Sequence, residues 1–371
     1  MTPSPRKVLT TPAAGSSPRL LFIDALRGFD MFWITGGDDI CRALAVWLGW
    51  TWLGHHMEHR PWEGFVFYDL IFPLFVFIVG IVLPMSLKKY EGRPSAAYPR
   101  ILRRFVLLLL LGWIHGGLLQ LDFAQMRWPG VLQRIAISYL FTAIAVQHLK
   151  ARGQAILATA LLLGYWALLA FVPAPGFRAY DLSPEGNLVG YLDRLLIPGK
   201  FCCYPFGDNE GLLSNIPAIA TCLFGALTGW WLTQPRPVMR KFQGLVLAGV
   251  ASLIIGVAWA PLFPIIKNLW TSSYVMIAAG WSLLLVAAFY FVIDISGKTR
   301  WAFPFVVIGV NALTIYVLQE FVSFPEMAKY LFGGVAMLTG AAAAVVLAVG
   351  ATALRWLLLR YLYRNGTFLR V

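Results

Sequence analysis

Charge is what this sequence has least of. Of its 371 residues only 13% are Asp, Glu, Lys or Arg, about half the roughly 25% typical of soluble domains, while 59% are hydrophobic and the mean hydropathy is +0.71. A soluble enzyme is excluded. Histidine is scarce, with five residues, and cysteine scarcer, with four; cysteines at 41, 202, 203 and 222 have no metal-ligand spacing. The alternation of apolar and polar residues over about ten positions that marks a membrane β-barrel is also missing, because the apolar stretches are continuous and rich in Leu and Ala. The net charge of +13 does not indicate nucleic acid, since Lys and Arg fall in short clusters between apolar runs, where they set topology.

What is present is a series of runs of about 20 residues, each long enough to cross a hydrocarbon core of about 30 Å. Helices are predicted at about 20–37, 64–87, 101–119, 129–149, 154–172, 212–232, 243–262, 271–293, 303–323 and 336–360. The fold class is therefore an all-α integral membrane protein, a polytopic bundle of about ten transmembrane helices. An even number puts both termini on one side. Twenty of the 30 Lys and Arg lie on the side of the termini and eight opposite, which places both termini in the cytoplasm. Residues 1–19 are polar, contain Pro and Ser, show no signal-peptide pattern, and are expected to be disordered and cytoplasmic. Residues 20–371 then make a single transmembrane domain.

Two outer loops, about 38–63 and 173–211, are long and rich in Trp, Tyr, Phe, Gly and Pro, a composition that predicts ordered caps over an outward-facing cavity. Eleven of the 17 acidic residues fall on the outer side; they suit a cationic ligand as well as they suit solvated loops. There is no clear internal repeat, which weighs against an inverted-repeat transporter.

Ionisable residues at membrane depth are costly, so each is a functional candidate. Asp24, Arg27 and Asp30 are spaced by three on the first helix, and read either as a buried ion-pair ladder or as a site. Asp69 has no basic residue at i±3 or i±4 and needs a distant partner. The nearest attractive one is His59 in HHMEHRPWEGFVFYDL: a carboxylate there would orient the imidazole and stabilise its protonated form, as a histidine base or nucleophile requires. The competing reading of His59 alone is an interfacial residue beside Trp62. His55, His56, His59 and Glu58 invite a metal, but HHMEH does not reproduce the H-E-x-x-H pattern, and no metal is expected. Gln133 and Arg134 enter the fourth helix, where the arginine would snorkel, pair with an acid such as Glu320, or hold phosphate. Asn215, Asn268, Asn311 and Glu320 add to a polar interior. With three cysteines on the outer side, a bridge from Cys41 to Cys202 or Cys203 is one expectation.

Six stretches, in order, carry a resemblance: RLLFIDALRGFDMFWITGGD, HRPWEGFVFYDLIFPLFVFIVG, PGVLQRIAISYL, DNEGLLSNIPAI, KNLWTSSYVM and VIGVNALTIYVLQE. From about Leu20 to beyond Glu320 the chain resembles the transmembrane acyltransferase family of heparan-α-glucosaminide N-acetyltransferase and its bacterial homologues. The resemblance implies transfer of an acetyl group from cytosolic acetyl-CoA, across a bacterial inner membrane, to the amine of a terminal glucosamine or related amino sugar. It implies a catalytic histidine in a His-x-x-Trp-x-Gly context with an aspartate ten residues on, which fall on His59, Trp62, Gly64 and Asp69. It places the family's acidic turn on Asp208 and Glu210, as a seat for the acceptor. Two departures are visible: Ile34 and Thr35 stand before the glycines that end the first helix, where an asparagine is usual, so any role of that amide passes to Asp38 or Asp39; and Asn209 replaces the usual proline of the turn. A homodimer is implied by the same analogy.

Together these readings give His59 and Asp69 as the catalytic couple; Trp62, Asp208, Glu210, Asn268, Asp38 and Asp39 as acceptor contacts; and Arg134, Gln133, Arg103, Arg104 and Asn311 as the donor path. Arg103 and Arg104, with Lys88 and Lys89, would attract nucleotide phosphates, and read equally as topology anchors. Trp62, Asn268 or a backbone amide would supply the oxyanion donor. The rival functions are inward transport of an amino sugar or oligosaccharide, which needs no imidazole at the mouth, and acylation of a surface glycan.

Overall fold

A computed structural model describes residues 20–368; the expectation for residues 1–19 lies outside them. Helices follow one another along the chain: α1 (Leu21–Phe32), α2 (Asp38–Leu48), α3 (Thr51–His56), α4 (Phe67–Leu87), α5 (Tyr98–His115), α6 (Val131–His148), α7 (Ala151–Phe171) and α8 (Leu188–Leu196). A two-residue hairpin follows, β1 (Cys203–Tyr204) and β2 (Gly207–Asp208). Then come α9 (Asn215–Thr233), α10 (Val238–Trp259), α11 (Ser272–Tyr290), α12 (Phe303–Val310), α13 (Ala312–Phe321), α14 (Phe324–Leu338) and α15 (Ala343–Arg364). Among the described residues six helical segments are long and apolar enough to cross a membrane, and a seventh if α12 and α13, bent by 59°, count as one span. This is the make-up of an all-α membrane protein.

Each of the ten apolar runs contains a helix, yet α1, α5 and α6 carry too many polar residues or are too short to qualify as spans by themselves. The ninth run is broken at Asn311, whose amide donates to Val307 O at 3.1 Å. The tenth does not begin at 336: Ser323 accepts from Glu326 N at 3.4 Å and Pro325 occupies the first turn, so a separate helix, α14, starts there. It ends at Thr339 before Gly340, whose φ of +55° suits a reversal. The long segments between runs are ordered, holding α2 and α3 in one and α8 with the hairpin in the other.

Burial sorts the helices. The spans containing α4 and α11 are 72% and 67% buried, against 17% for α10 and 22% for α15; all are apolar, so the first two are the interior of the bundle and the others its lipid-facing wall. α4 packs most extensively against α9, α10 against α11, and α1 against α12. The α4–α9 crossing depends on glycine. A Cβ at Gly80 would stand 2.0 Å from Cys222 O, and one at Gly225 2.0 Å from Phe77 O, so the two backbones touch as small residues permit between membrane helices. That contact holds the middle of α4 against α9 in the interior of the bundle.

Candidate active site

The chain enters α4 through a constrained strand-like segment. Glu63 pairs with Ile266 as an isolated bridge, and Gly64, at φ +114°, donates its N–H to Ile265 O at 2.9 Å. Only glycine adopts that conformation without strain. α4 then begins, and Asp69 in its first turn accepts from Val66 N at 3.2 Å, as an acid at a helix N-terminus does. The other oxygen of the same carboxylate lies 2.8 Å from His59 Nδ1. Asp69 is fully buried while the His59 side chain is 48% exposed, so one partner is fixed in the interior and the other reaches the surface. The hydroxyl of Tyr274 donates to Asp69 O at 2.7 Å, and the Tyr68 ring lies 4.7 Å from the imidazole. With Nδ1–H donating to Asp69, Nε2 of His59 carries the lone pair that can accept a proton.

A third member comes from the α10–α11 connection. Lys267 Nζ lies 2.8 Å from His59 Nδ1, 3.2 Å from Nε2 and 3.3 Å from Asp69 Oδ1. Burial pushes its ammonium below the ordinary lysine range, against the pull of Asp69 and Glu210. The segment is held by Thr271, whose hydroxyl accepts from Ile266 N at 3.1 Å and donates to Pro264 O at 2.8 Å.

Next to this triad stands a cluster of acids around Arg127. Arg127 Nε and Nη2 donate to the two oxygens of Asp208 at 2.8 and 2.6 Å, and Nη2 also donates to Glu210. Asp208 accepts further from Cys202 N and Glu210 N, both at 2.9 Å. Burial opposes ionisation of Asp208, but the Arg127 hydrogen bonds and charge outweigh it and hold this carboxyl below its usual range. Behind it, Asp193 accepts from Leu212 N at 2.9 Å and Asp208 N at 3.2 Å; burial pushes its pKa up to about 6 despite those bonds, and the charge of Asp208 adds to the rise. Glu210 lies in the fields of both Lys267 and Arg134, which joins cluster and triad in one polar region.

The other candidates fall in several places. Trp62 Nε1 donates to Leu182 O at 2.9 Å, and Asn268 Nδ2 to Pro61 O at 3.4 Å; both tie loops together, and Trp62 has no donor left for an oxyanion. Asp208 and Glu210 are already paired to Arg127. Asp38 is engaged by Tyr68 Oη at 2.9 Å and by Arg42, while Asp39 is exposed. Arg134 is fully buried, donates to Ser214, stacks 4.6 Å over Trp270 and keeps Nε and Nη1 without partners. It does not pair with Glu320, which faces His115 at 3.4 Å. Gln133 donates to Trp128 O at 3.1 Å. Asn311 is buried with its Oδ1 unpartnered. Arg104 stacks 4.6 Å over Tyr139, and Arg103 is exposed.

Two expectations are corrected. Cys202 and Cys203 are joined to each other, and Cys41 is free; adjacent thiols needed no bridge between loops. The acid ladder of the first helix is incomplete, because Arg27 pairs with Asp24 at 3.3 Å while both oxygens of buried Asp30 lack partners. In HHMEH, His55 faces Arg60 at 3.4 Å and His56 packs on Trp52; among the described residues no three His, Cys, Asp or Glu side chains gather to hold a metal. Lys267, Arg127 and Asp193 escaped the sequence reading. Each looked like a solvated loop charge, and only the apolar neighbours of Lys267 in PIIKNLW hinted at burial.

No family model matches the chain. Two curated relatives do: heparan-alpha-glucosaminide N-acetyltransferase of Homo sapiens, 26% identical over 365 residues covering 82% of this chain, and that of Mus musculus, 26% identical over 323 residues covering 71%. The chain is a distant relative of these acetyltransferases. It spans about half the length of each, 53% and 49%.

Proposed function

We propose that this protein is a transmembrane acetyltransferase that moves an acetyl group from cytosolic acetyl-CoA to the amine of an amino sugar on the outer side of a bacterial inner membrane. The observation that carries the reading is the 2.8 Å contact between His59 and Asp69 at the head of a buried helix, in a chain distantly related to acetyltransferases. In this reading all ten apolar runs cross the bilayer, both termini are cytosolic, and the α4 N-terminus opens outward.

The donor is a phosphate-bearing thioester, and the far end of the bundle has groups suited to it. Arg104 lies in the fields of Arg27 and Arg100, and its Nε is buried without a partner. Three guanidiniums beside one paired acid, Asp24, repel one another until an anion joins them. These residues would hold the phosphates while the acyl end reaches the mouth.

At the mouth, the acceptor reacts as its free amine: His59 Nε2 takes one proton from the nitrogen as that nitrogen attacks the thioester carbon. The C–N bond forms, the C–S bond breaks, and the imidazolium returns a proton to the departing thiolate. Asp69 fixes the tautomer and stabilises the imidazolium, support worth roughly 10²–10⁴-fold in rate. Lys267 stands 2.8 Å from His59 Nδ1 and 3.3 Å from Asp69 Oδ1. As carbonyl charge develops, the ammonium is the donor nearest the imidazole that is free to turn toward an oxyanion, an interaction worth about 3 kcal/mol of barrier.

The experiment incubates purified protein with acetyl-CoA and glucosamine and weighs the sugar by mass spectrometry, with counterflow of unmodified sugar measured in parallel in proteoliposomes. Acetylated glucosamine that depends on acetyl-CoA is the expected result. Counterflow of unmodified sugar without acetylation would replace the enzyme by a transporter.

A further inference from the structure

Two adjacent side chains at the hairpin carry chemistry that the proposed transfer leaves unused. Cys202 and Cys203, neighbours in sequence, are joined by a disulfide where β1 begins. We propose that this pair is a reversible thiol–disulfide exchange site for a dithiol reductant, and that its redox state sets how firmly the hairpin holds the Asp208–Arg127–Glu210 cluster. The inference stands on the hairpin and does not require the transfer chemistry.

Access comes first. Cys203 is exposed and Cys202 partly so, whereas Cys222 is buried in α9. Exchange needs a reagent thiolate to reach a sulfur, so in the folded protein the pair is open to it and Cys222 is not. A disulfide stabilises a fold chiefly by closing a loop of the unfolded chain, with a gain that shrinks as the loop shortens. Between successive residues it closes no intervening chain, and its effect is local.

That local effect falls on the acid cluster. Cys203 has φ +81°, a left-handed conformation that a residue with a side chain seldom keeps unless its surroundings hold it there. The ring through the two sulfurs limits rotation on either side of the shared peptide, and opening it returns Cys203 to the ordinary regions. Cys202 N donates to Asp208 Oδ2 at 2.9 Å, and Cys203 faces Asp208 across the ladder. β2 has its own anchors on α8, since Asp208 N donates to Asp193 at 3.2 Å and Arg194 donates to Phe206 O. The chain before β1 lies along the Arg127 segment, where Gly199 pairs with Arg127 as an isolated bridge and Lys200 N donates to Met126 O at 3.3 Å. Tyr204 packs 5.3 Å from Trp62, in the loop that carries His59. Residues 199–204 are therefore the part that loosens when the ring opens.

In exchange, one reductant thiolate attacks the exposed Cys203 Sγ, the bond between the two sulfurs breaks, and Cys202 leaves as a thiolate that takes up a proton. The second reductant thiolate then attacks its own sulfur in the mixed disulfide. Cys203 leaves as a thiolate and is protonated, and the reductant closes to a disulfide. Two electrons and two protons have passed to the protein.

The test treats folded, detergent-purified protein with dithiothreitol and follows intact mass, N-ethylmaleimide labelling and backbone hydrogen exchange. Before reduction neither Cys202 nor Cys203 should take a label. After it the protein should gain the mass of two hydrogens and take labels at both, with Cys222 unlabelled. Exchange in residues 199–204 and 125–128 should quicken by about tenfold or more, α9 should be unchanged, and oxidised glutathione should restore the first state. The double variant Cys202→Ser, Cys203→Ser, which keeps side-chain size and loses the bond, should show the quickened pattern with and without dithiothreitol. Labels at both cysteines before reduction, a bond that yields only on unfolding, or exchange that reduction leaves unchanged overturns the proposal. None of these readouts is turnover, so a failed transfer assay leaves the exchange site standing, and a failed exchange test leaves the His59–Asp69 reading untouched.

Discussion

Raising the pH through the titration of Asp193 should destabilise the protein. Its carboxyl is buried beneath Asp208 and has its pKa pushed up to about 6 from 3.8. In the unfolded chain it ionises near 3.8, so between these values the folded state binds more protons than the unfolded one, and stability falls as pH rises through that window. The full effect is about two pKa steps, or roughly 3 kcal/mol. Between about pH 4.5 and pH 7 the linkage relation leaves roughly 2 kcal/mol of that loss. Asp208 does not mask it, because its lowered pKa confines its opposite contribution to the region below 3.8. The assay is the thermal midpoint of detergent-purified protein across this range, for wild type and Asp193→Asn. The variant loses a hydrogen bond at every pH, since an amide offers one acceptor to the two N–H groups of Leu212 and Asp208, so the slope and not the absolute midpoint is compared. The wild-type midpoint should fall with rising pH by a few degrees more than the variant's. Parallel slopes would refute the argument.

Lys267→Met should lower kcat by about 10²-fold, because it removes the ammonium that turns toward the oxyanion; a kcat within a few-fold of wild type contradicts the assigned role. Arg127→Leu should cost about 3–5 kcal/mol, read as a lowered midpoint, since it leaves fully buried Asp208 and Glu210 without their counter-ion; a midpoint within a degree of wild type would show that the cluster is solvated. Gly80→Leu should prevent accumulation of folded protein in the membrane, because its Cβ would overlap Cys222 O, and normal yield would mean that α4 and α9 are not in contact.

The helices were legible because an apolar run of about 20 residues has few alternatives. Their interruptions were not. The bend at Asn311 and the start of α14 at Ser323 depend on one or two polar residues within strongly apolar sequence, and hydropathy averages over them. The long intervening segments looked like loops because Trp and Gly dominate them, yet α2, α3 and α8 are there. In the site, the His59–Asp69 contact spans only ten residues and was suggested by an acid lacking local partners. Lys267 meets His59 across 208 residues, and Arg127 meets Asp208 across 81. Such pairs come together only when the bundle closes, and a lone loop charge gives no local sign of its partner. The glycines of the α4–α9 crossing were equally silent, because backbone proximity leaves no periodic pattern.

The most direct test of the His59–Asp69 couple is kcat for acetyl transfer from acetyl-CoA to glucosamine in His59→Ala and Asp69→Asn, each compared with wild type at equal concentration of folded, membrane-extracted protein. Both variants should lose at least about 10²-fold, with His59→Ala the more severe and acetyl-CoA binding retained. Turnover within a few-fold of wild type in His59→Ala would contradict the account.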